Sequence, residues 1–126
     1  SEKATTPFVV SKDIESLATK HEGEALTRRA QKLFISLGLD AELERGAARK
    51  VRAGKGKRRG RRYRRPKSAL VVLSEFNGTE RAFRNLAGVD VTTAAQLNTE
   101  MLAPGGDLGR LMVISQPALK ALEARL

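Results

Sequence analysis

Cysteine and tryptophan are both missing from this 126-residue chain, and aromatic residues make up only 4% of it. Without cysteine there is no disulfide, no thiol nucleophile and no thiolate metal ligand, a composition that fits a reducing compartment. The single histidine, His21, has no second histidine and no paired carboxylates near it in sequence. It is expected at a solvated helix position, and no metal or other cofactor is expected anywhere in the chain. Long apolar runs are lacking too: none approaches the roughly 20 residues needed to cross a bilayer. The leading residues Ser1, Glu2 and Lys3 are polar, unlike a secretory signal. These absences lead us to expect a soluble cytoplasmic protein with no membrane partner. At 40% apolar residues the chain carries enough Leu, Val, Ile, Ala and Phe for one modest core, hence one domain.

Acidic residues are missing from one place in particular. Between Arg49 and Lys67 stand twelve basic residues and no acid: Arg49, Lys50, Arg52, Lys55, Lys57, Arg58, Arg59, Arg61, Arg62, Arg64, Arg65 and Lys67. The net charge of +10 is therefore local, because the remaining 12 Lys and Arg face 14 acids and leave the rest of the chain near −2.

That rest reads as an ordinary α/β scaffold. Phe8-Val9-Val10 is a short strand candidate, followed by a helix that Ser11 caps and that carries Ile14, Leu17 and Ala18. A second helix is expected over about 24–37, with Leu26, Ala30, Leu33, Phe34 and Leu37 on one face and Gly38 as its stop. Ser68 to Ser74 is a continuous apolar run rather than an alternating one, the pattern of a strand covered on both faces inside a parallel sheet. Helical spacing over 79–87 uses Ala82, Phe83, Leu86 and Ala87, and Val89-Asp90-Val91 follows as a strand. Thr93 and Gln96 have capping-box spacing for a helical turn, and a second turn runs from Asn98 through Met101 and Leu102. Pro104-Gly105-Gly106 ends it. Leu111 to Ile114 is a further apolar strand, and Ser115 caps a last helix bearing Ala118, Leu119, Leu122 and Leu126. Alternating strands and helices argue a three-layer α/β fold with a mostly parallel sheet and right-handed crossovers.

Residues 49–67 interrupt this scaffold. Interleaved Gly54, Gly56 and Gly60 and the lack of apolar periodicity lead us to expect an extended, disordered arm in the free chain. A solvated linker, a nuclear-localisation-like signal and a membrane patch are the competing readings. Against the linker, twelve uncompensated cations repel one another, whereas surfaces usually intersperse the two signs. A polyanion removes that repulsion. Arginine dominates from Arg58 to Arg65, and its planar fork grips phosphate through two parallel hydrogen bonds. Tyr63 sits inside the run, where a phenol ring is able to stack on an unpaired base.

Two glycine-bearing stretches invite a nucleotide-binding reading. Residues 52–57 lack the spacing and the terminal Ser or Thr of a phosphate loop and precede a strand instead of following one. Residues 104–110 also precede their strand, so they read as a turn, with Arg110 a further candidate phosphate contact. No nucleophile here has a recognisable acid or base partner, so neither an enzyme nor a small-molecule substrate is expected.

Several segments together resemble a known family. They are the run from Val51 to Arg65, the segment from Ala82 to Val91, Leu97-Asn98, and Leu102 to Gly106 with Gly109-Arg110. In this order they are similar to the archaeal and eukaryotic branch of the large-subunit ribosomal protein L-four family, over nearly the whole chain from Pro7 onward. The resemblance implies a structural constituent of the large ribosomal subunit, located in the cytoplasm, that binds large-subunit ribosomal RNA and supports its folding and assembly beside neighbouring ribosomal proteins. It places the family's RNA-contacting stretch on Arg52 to Arg65. The chain corresponds to the second half of the family's length, so the tunnel-reaching basic loop of the first half maps to no residue here. The expected organisation is residues 1–48 and 68–126 as parts of one α/β domain, with 49–67 as its RNA-binding arm. A regulatory polyanion binder outside the ribosome is the alternative, and a nucleotide-using enzyme a more remote one.

Overall fold

A computed structural model describes residues 7–17 and 25–126; Ala18 and His21 lie outside these. Strand β4, Leu70–Leu73, is the axis of the fold, with all four residues buried. Successive side chains of a strand point to opposite faces. Val71 and Leu73 therefore enter one core and Leu70 and Val72 another. β4 lies between β5 (Asp90–Thr93) and β6 (Met112–Ser115), and β1 (Phe8–Val10) pairs with β6 on its other side. All three pairings in this four-stranded sheet are parallel, which goes one step beyond the mostly parallel sheet expected.

Both faces are covered, so three layers are present. On the first, α1 (Leu26–Ser36) and α3 (Thr79–Arg84) deliver Ala30, Phe34, Ala82 and Phe83. The rings of Phe34 and Phe83 meet edge to face with centroids 5.9 Å apart, a favoured aromatic geometry. On the second face, Ala94, Leu97 and Ala118 are buried, with Met101 of α4 (Thr99–Leu102) and Leu119 and Leu122 of α5 (Gln116–Arg125) packed against them.

The ends of elements differ from expectation for local reasons. Ser11 makes no side-chain cap, and only a 3-10 turn at Lys12–Ile14 follows it. Thr93 pairs with Leu73 as the last residue of β5, so the turn that begins there, closed by Gln96 N–H donating to Thr93 O, does not grow into a helix. Helix α3 stops at Arg84 rather than near Ala87. The expected cap at Ser115 is made, its Oγ accepting from Ala118 N–H at 3.2 Å, and the expected turn after Asn98 is capped by Asn98 Oδ1, which accepts from Met101 N–H at 3.0 Å. Helix α2, Asp40–Ala47, was not anticipated. Its tight seat explains its composition. Gly46 is buried, and a Cβ there would lie 2.6 Å from Ala87 O and 2.9 Å from Ser68 Cβ. Gly88 faces it, with φ +78° and its own virtual Cβ 2.9 Å from Pro66 O.

A half-buried carboxylate ties the opposite end of the sheet. Glu15 Oε1 accepts from Ser74 N–H at 2.7 Å and from Ser115 Oγ at 2.6 Å, and Oε2 accepts from Ser74 Oγ at 2.6 Å. Its backbone carbonyl accepts from Asn77 Nδ2 and Thr79 Oγ1. Burial raises the pKa of Glu15, but the hydrogen bonds from Ser115 and Ser74, with help from the charge of Lys12, outweigh it and hold the group below its ordinary 4.5.

Two tests follow from these contacts. Gly46→Ala should destabilise the fold by about 1 to 3 kcal/mol through overpacking, read as a lower urea midpoint at unchanged slope. Because Glu15 is more acidic folded than unfolded, it stabilises the fold above its ordinary value of 4.5, and this contribution fades as pH falls through the lowered folded value. Glu15→Gln should accordingly be less stable at neutral pH and lose less stability than the parent between neutral and acid pH in a urea series.

Candidate nucleic-acid interface

The basic segment folds back on itself. β2 (Lys50–Val51) and β3 (Tyr63–Arg64) pair antiparallel, Lys50 opposite Arg64 and Val51 opposite Tyr63. Arg52 N–H donates to Arg62 O at 2.7 Å, and Arg52 Nε to Arg61 O at 3.0 Å. A 3-10 turn over Lys55–Arg58 forms the tip, bracketed by Gly54 and Gly60, both at φ +78°, a conformation only glycine adopts freely. The expectation of an extended, disordered arm is thus corrected to a short hairpin. Its glycines, read from sequence as disorder, are the residues that let the chain reverse. Aromatic packing replaces an apolar core: the Arg49 guanidinium carbon lies 4.1 Å and that of Arg62 5.6 Å from the centroid of the Tyr63 ring. Tyr63 nevertheless remains 42% exposed.

Eleven of the twelve cations in 49–67 are exposed and Arg52 is half-buried. Among the described residues only Lys67 of the twelve forms an ion pair, to Asp90 at 3.1 Å. The hairpin therefore presents uncompensated positive charge on two strands and a turn.

Its root is clamped. Arg45, paired with Glu42, donates to Lys67 O at 2.7 Å; Ser68 N–H donates to Gly88 O at 2.8 Å; Ser68 Oγ donates to Glu42 O at 3.1 Å. Behind these bonds lies Arg110, whose side chain is only 5% exposed. It donates through Nε to Ser68 O at 2.8 Å, through Nη1 to Met101 O at 2.8 Å, and through Nη2 to Asp90 Oδ2 at 2.7 Å. Arg110 thus binds the starts of β4 and β5 to the end of α4. The expected phosphate contact does not suit this geometry, since the fork already serves internal acceptors. Burial raises the pKa of Asp90, but hydrogen bonds from Arg110 and Lys67, and their charges, bring it below the ordinary 3.8.

Beside this clamp opens a cleft of about 860 Å³. The hairpin root contributes Arg64, Arg65 and Lys67, and α3 contributes Arg84. Arg84 was not anticipated from sequence. Nothing in the sequence near position 84 marks it; the register that sets Leu70 opposite Asp90 brings the end of α3 to the hairpin root.

Residues 1–125 match the Ribosomal protein L4/L1 family. The chain belongs to that family. It is similar to the large ribosomal subunit protein uL4 of Methanothrix thermoacetophila, with 49% identity over 95% of this chain and 45% of that protein. It is also similar to the uL4 of Methanopyrus kandleri, at 46% identity over 95% of this chain and 44% of the relative. The uL4 of Pyrobaculum aerophilum shares 48% identity over 92% of this chain and 39% of its own length. The chain thus spans less than half the length of these curated relatives. The matched family is described as one of ribosomal proteins, and these relatives are named as proteins of the large ribosomal subunit.

The clamp in this L4/L1-family chain carries its own test. Arg110→Ala should cost about 3 kcal/mol, because it strands buried carbonyls and leaves Asp90 with Lys67 alone. Arg110→Lys should recover little of that loss in chemical denaturation, since one ammonium cannot span three separate acceptors.

Proposed function

We propose that this chain serves as a structural constituent of the large ribosomal subunit in the cytoplasm, binding large-subunit ribosomal RNA and supporting its folding and assembly next to other ribosomal proteins. The observation that carries this reading is the hairpin: eleven of its twelve cations are exposed on a short fold rooted in a scaffold of slightly negative charge. Residues 1–48 and 68–126 act as one positioning domain and 49–67 as the RNA-binding element. The arginines from Arg58 to Arg65 hold phosphates, with Arg49, Lys50, Arg52, Lys55, Lys57 and Lys67 extending the track. Tyr63 offers a base-stacking surface once Arg49 leaves its ring for a phosphate. The names of the relatives support the ribosomal setting.

Phosphate contacts release condensed counterions, so log affinity should fall with log salt by about 0.7 to 0.9 per contact. If about half the cations engage, the slope is roughly −4 to −6. Replacing Arg58, Arg59, Arg61, Arg62, Arg64 and Arg65 together by Gln should flatten that slope severalfold and abolish tight binding to large-subunit ribosomal RNA, while the circular dichroism of the α/β scaffold stays as it was. Undiminished affinity and slope in the six-Gln variant would reduce the hairpin to a linker. A regulator acting outside the ribosome would wash away from large subunits in a high-salt gradient, where a subunit component co-sediments.

A further inference from the structure

The cleft at the hairpin root has a second chemistry that phosphate binding leaves unused. Besides its four exposed cations it is lined by Asn98 and Glu100 at the start of α4 and by Asp107 in the turn after it. Glu100 and Asp107 are exposed, and neither has an ion-pair or hydrogen-bond partner among the described residues. Two free carboxylates therefore share a cleft with four arginines and lysines without neutralising them. Asn98 spends its Oδ1 on capping Met101 and keeps its amide donor free. In the floor Arg110 ties Asp90 to the carbonyl of Met101. A volume of about 860 Å³ lies in the roughly 300 to 1,000 Å³ range of small-ligand sites.

A ligand matching this lining is anionic at one end and rich in N–H donors at the other. A guanosine nucleotide has that character: its phosphate meets Arg64, Arg65, Lys67 and Arg84, while N1–H and the exocyclic amine present donors that a carboxylate accepts. Adenine and uracil offer fewer donors on that edge. The cleft also continues the cationic track of the hairpin, which favours a nucleotide within an RNA strand over a free one. We propose that this cleft receives an unpaired guanosine of the bound RNA, its base edge read by Glu100 and Asp107. This rests on the RNA-binding reading above.

The test uses the full chain and two single-stranded probes, a uridine hexamer and the same hexamer with one central guanosine. The guanosine probe should bind about tenfold more tightly at equal salt, the discrimination expected of a good bidentate base contact. Glu100→Ala with Asp107→Ala should erase that preference, leaving uridine-hexamer affinity equal or higher and its salt slope unchanged. Both residues are exposed, and the single variants, each expected to lose part of the preference, provide a second reading should the pair perturb folding. Equal affinity for the two probes, or a preference that survives in the double variant, overturns the pocket while leaving RNA binding by the hairpin intact. Salt-insensitive or absent binding of both probes would instead overturn the RNA-binding reading, and the pocket with it.

Discussion

Arg110 has one guanidinium and three separate neighbours that need it: the carbonyl of Ser68 where β4 begins, the carboxylate of Asp90 where β5 begins, and the carbonyl of Met101 in α4. One buried side chain thus joins a backbone carbonyl before β4, the carboxylate that opens β5 and a carbonyl of α4. The basic hairpin leaves the sheet through Lys67, the residue before Ser68, so its direction is fixed by this same knot. Lys67 adds a second, exposed contact to Asp90 that is worth much less, because solvent screens it. The hairpin's charge and the scaffold's stability therefore meet at a single acidic residue.

Most of the scaffold was legible in the sequence because its signals were local. The run Leu70 to Leu73 is apolar on both sides, and that alone indicates a strand between two layers. Ser115 caps its helix through a contact only three residues long, as its sequence pattern indicates, and the turn expected after Asn98 forms there. Helix α2 was missed because its decisive feature is distant: Gly46 reads as a helix breaker until Ala87 and Ser68 are found pressed against it. Thr93 misled in the opposite way, since a good capping pattern lost to pairing with Leu73.

The basic segment shows the same limit from another side. Its composition alone argues for a polyanionic partner, and eleven of its twelve cations are exposed. Its shape was misjudged, because composition does not reveal that two glycines and one tyrosine suffice to close a short ladder. Arg84 was invisible for a topological reason, being far from the hairpin in sequence and brought to it by strand register. Arg110 was visible as a cation but not as a buried one, since its acceptors are mostly backbone carbonyls that no side-chain pattern announces.

Glu15 gives the sheet an uncommon polarity of use. In open α/β sheets the crevice beyond the carboxyl ends of the strands is where ligands usually bind. Here the amide of Ser74 and the hydroxyls of Ser74 and Ser115, the donors at the ends of β4 and β6, are already satisfied by Glu15. The end of the sheet that elsewhere in such folds hosts chemistry is occupied by the chain's own anion, and the basic hairpin stands at the amino ends instead. A fold shared with many catalysts is thereby turned around: the end where ligands usually enter is tied off by an internal carboxylate, and the opposite end carries an exposed basic hairpin.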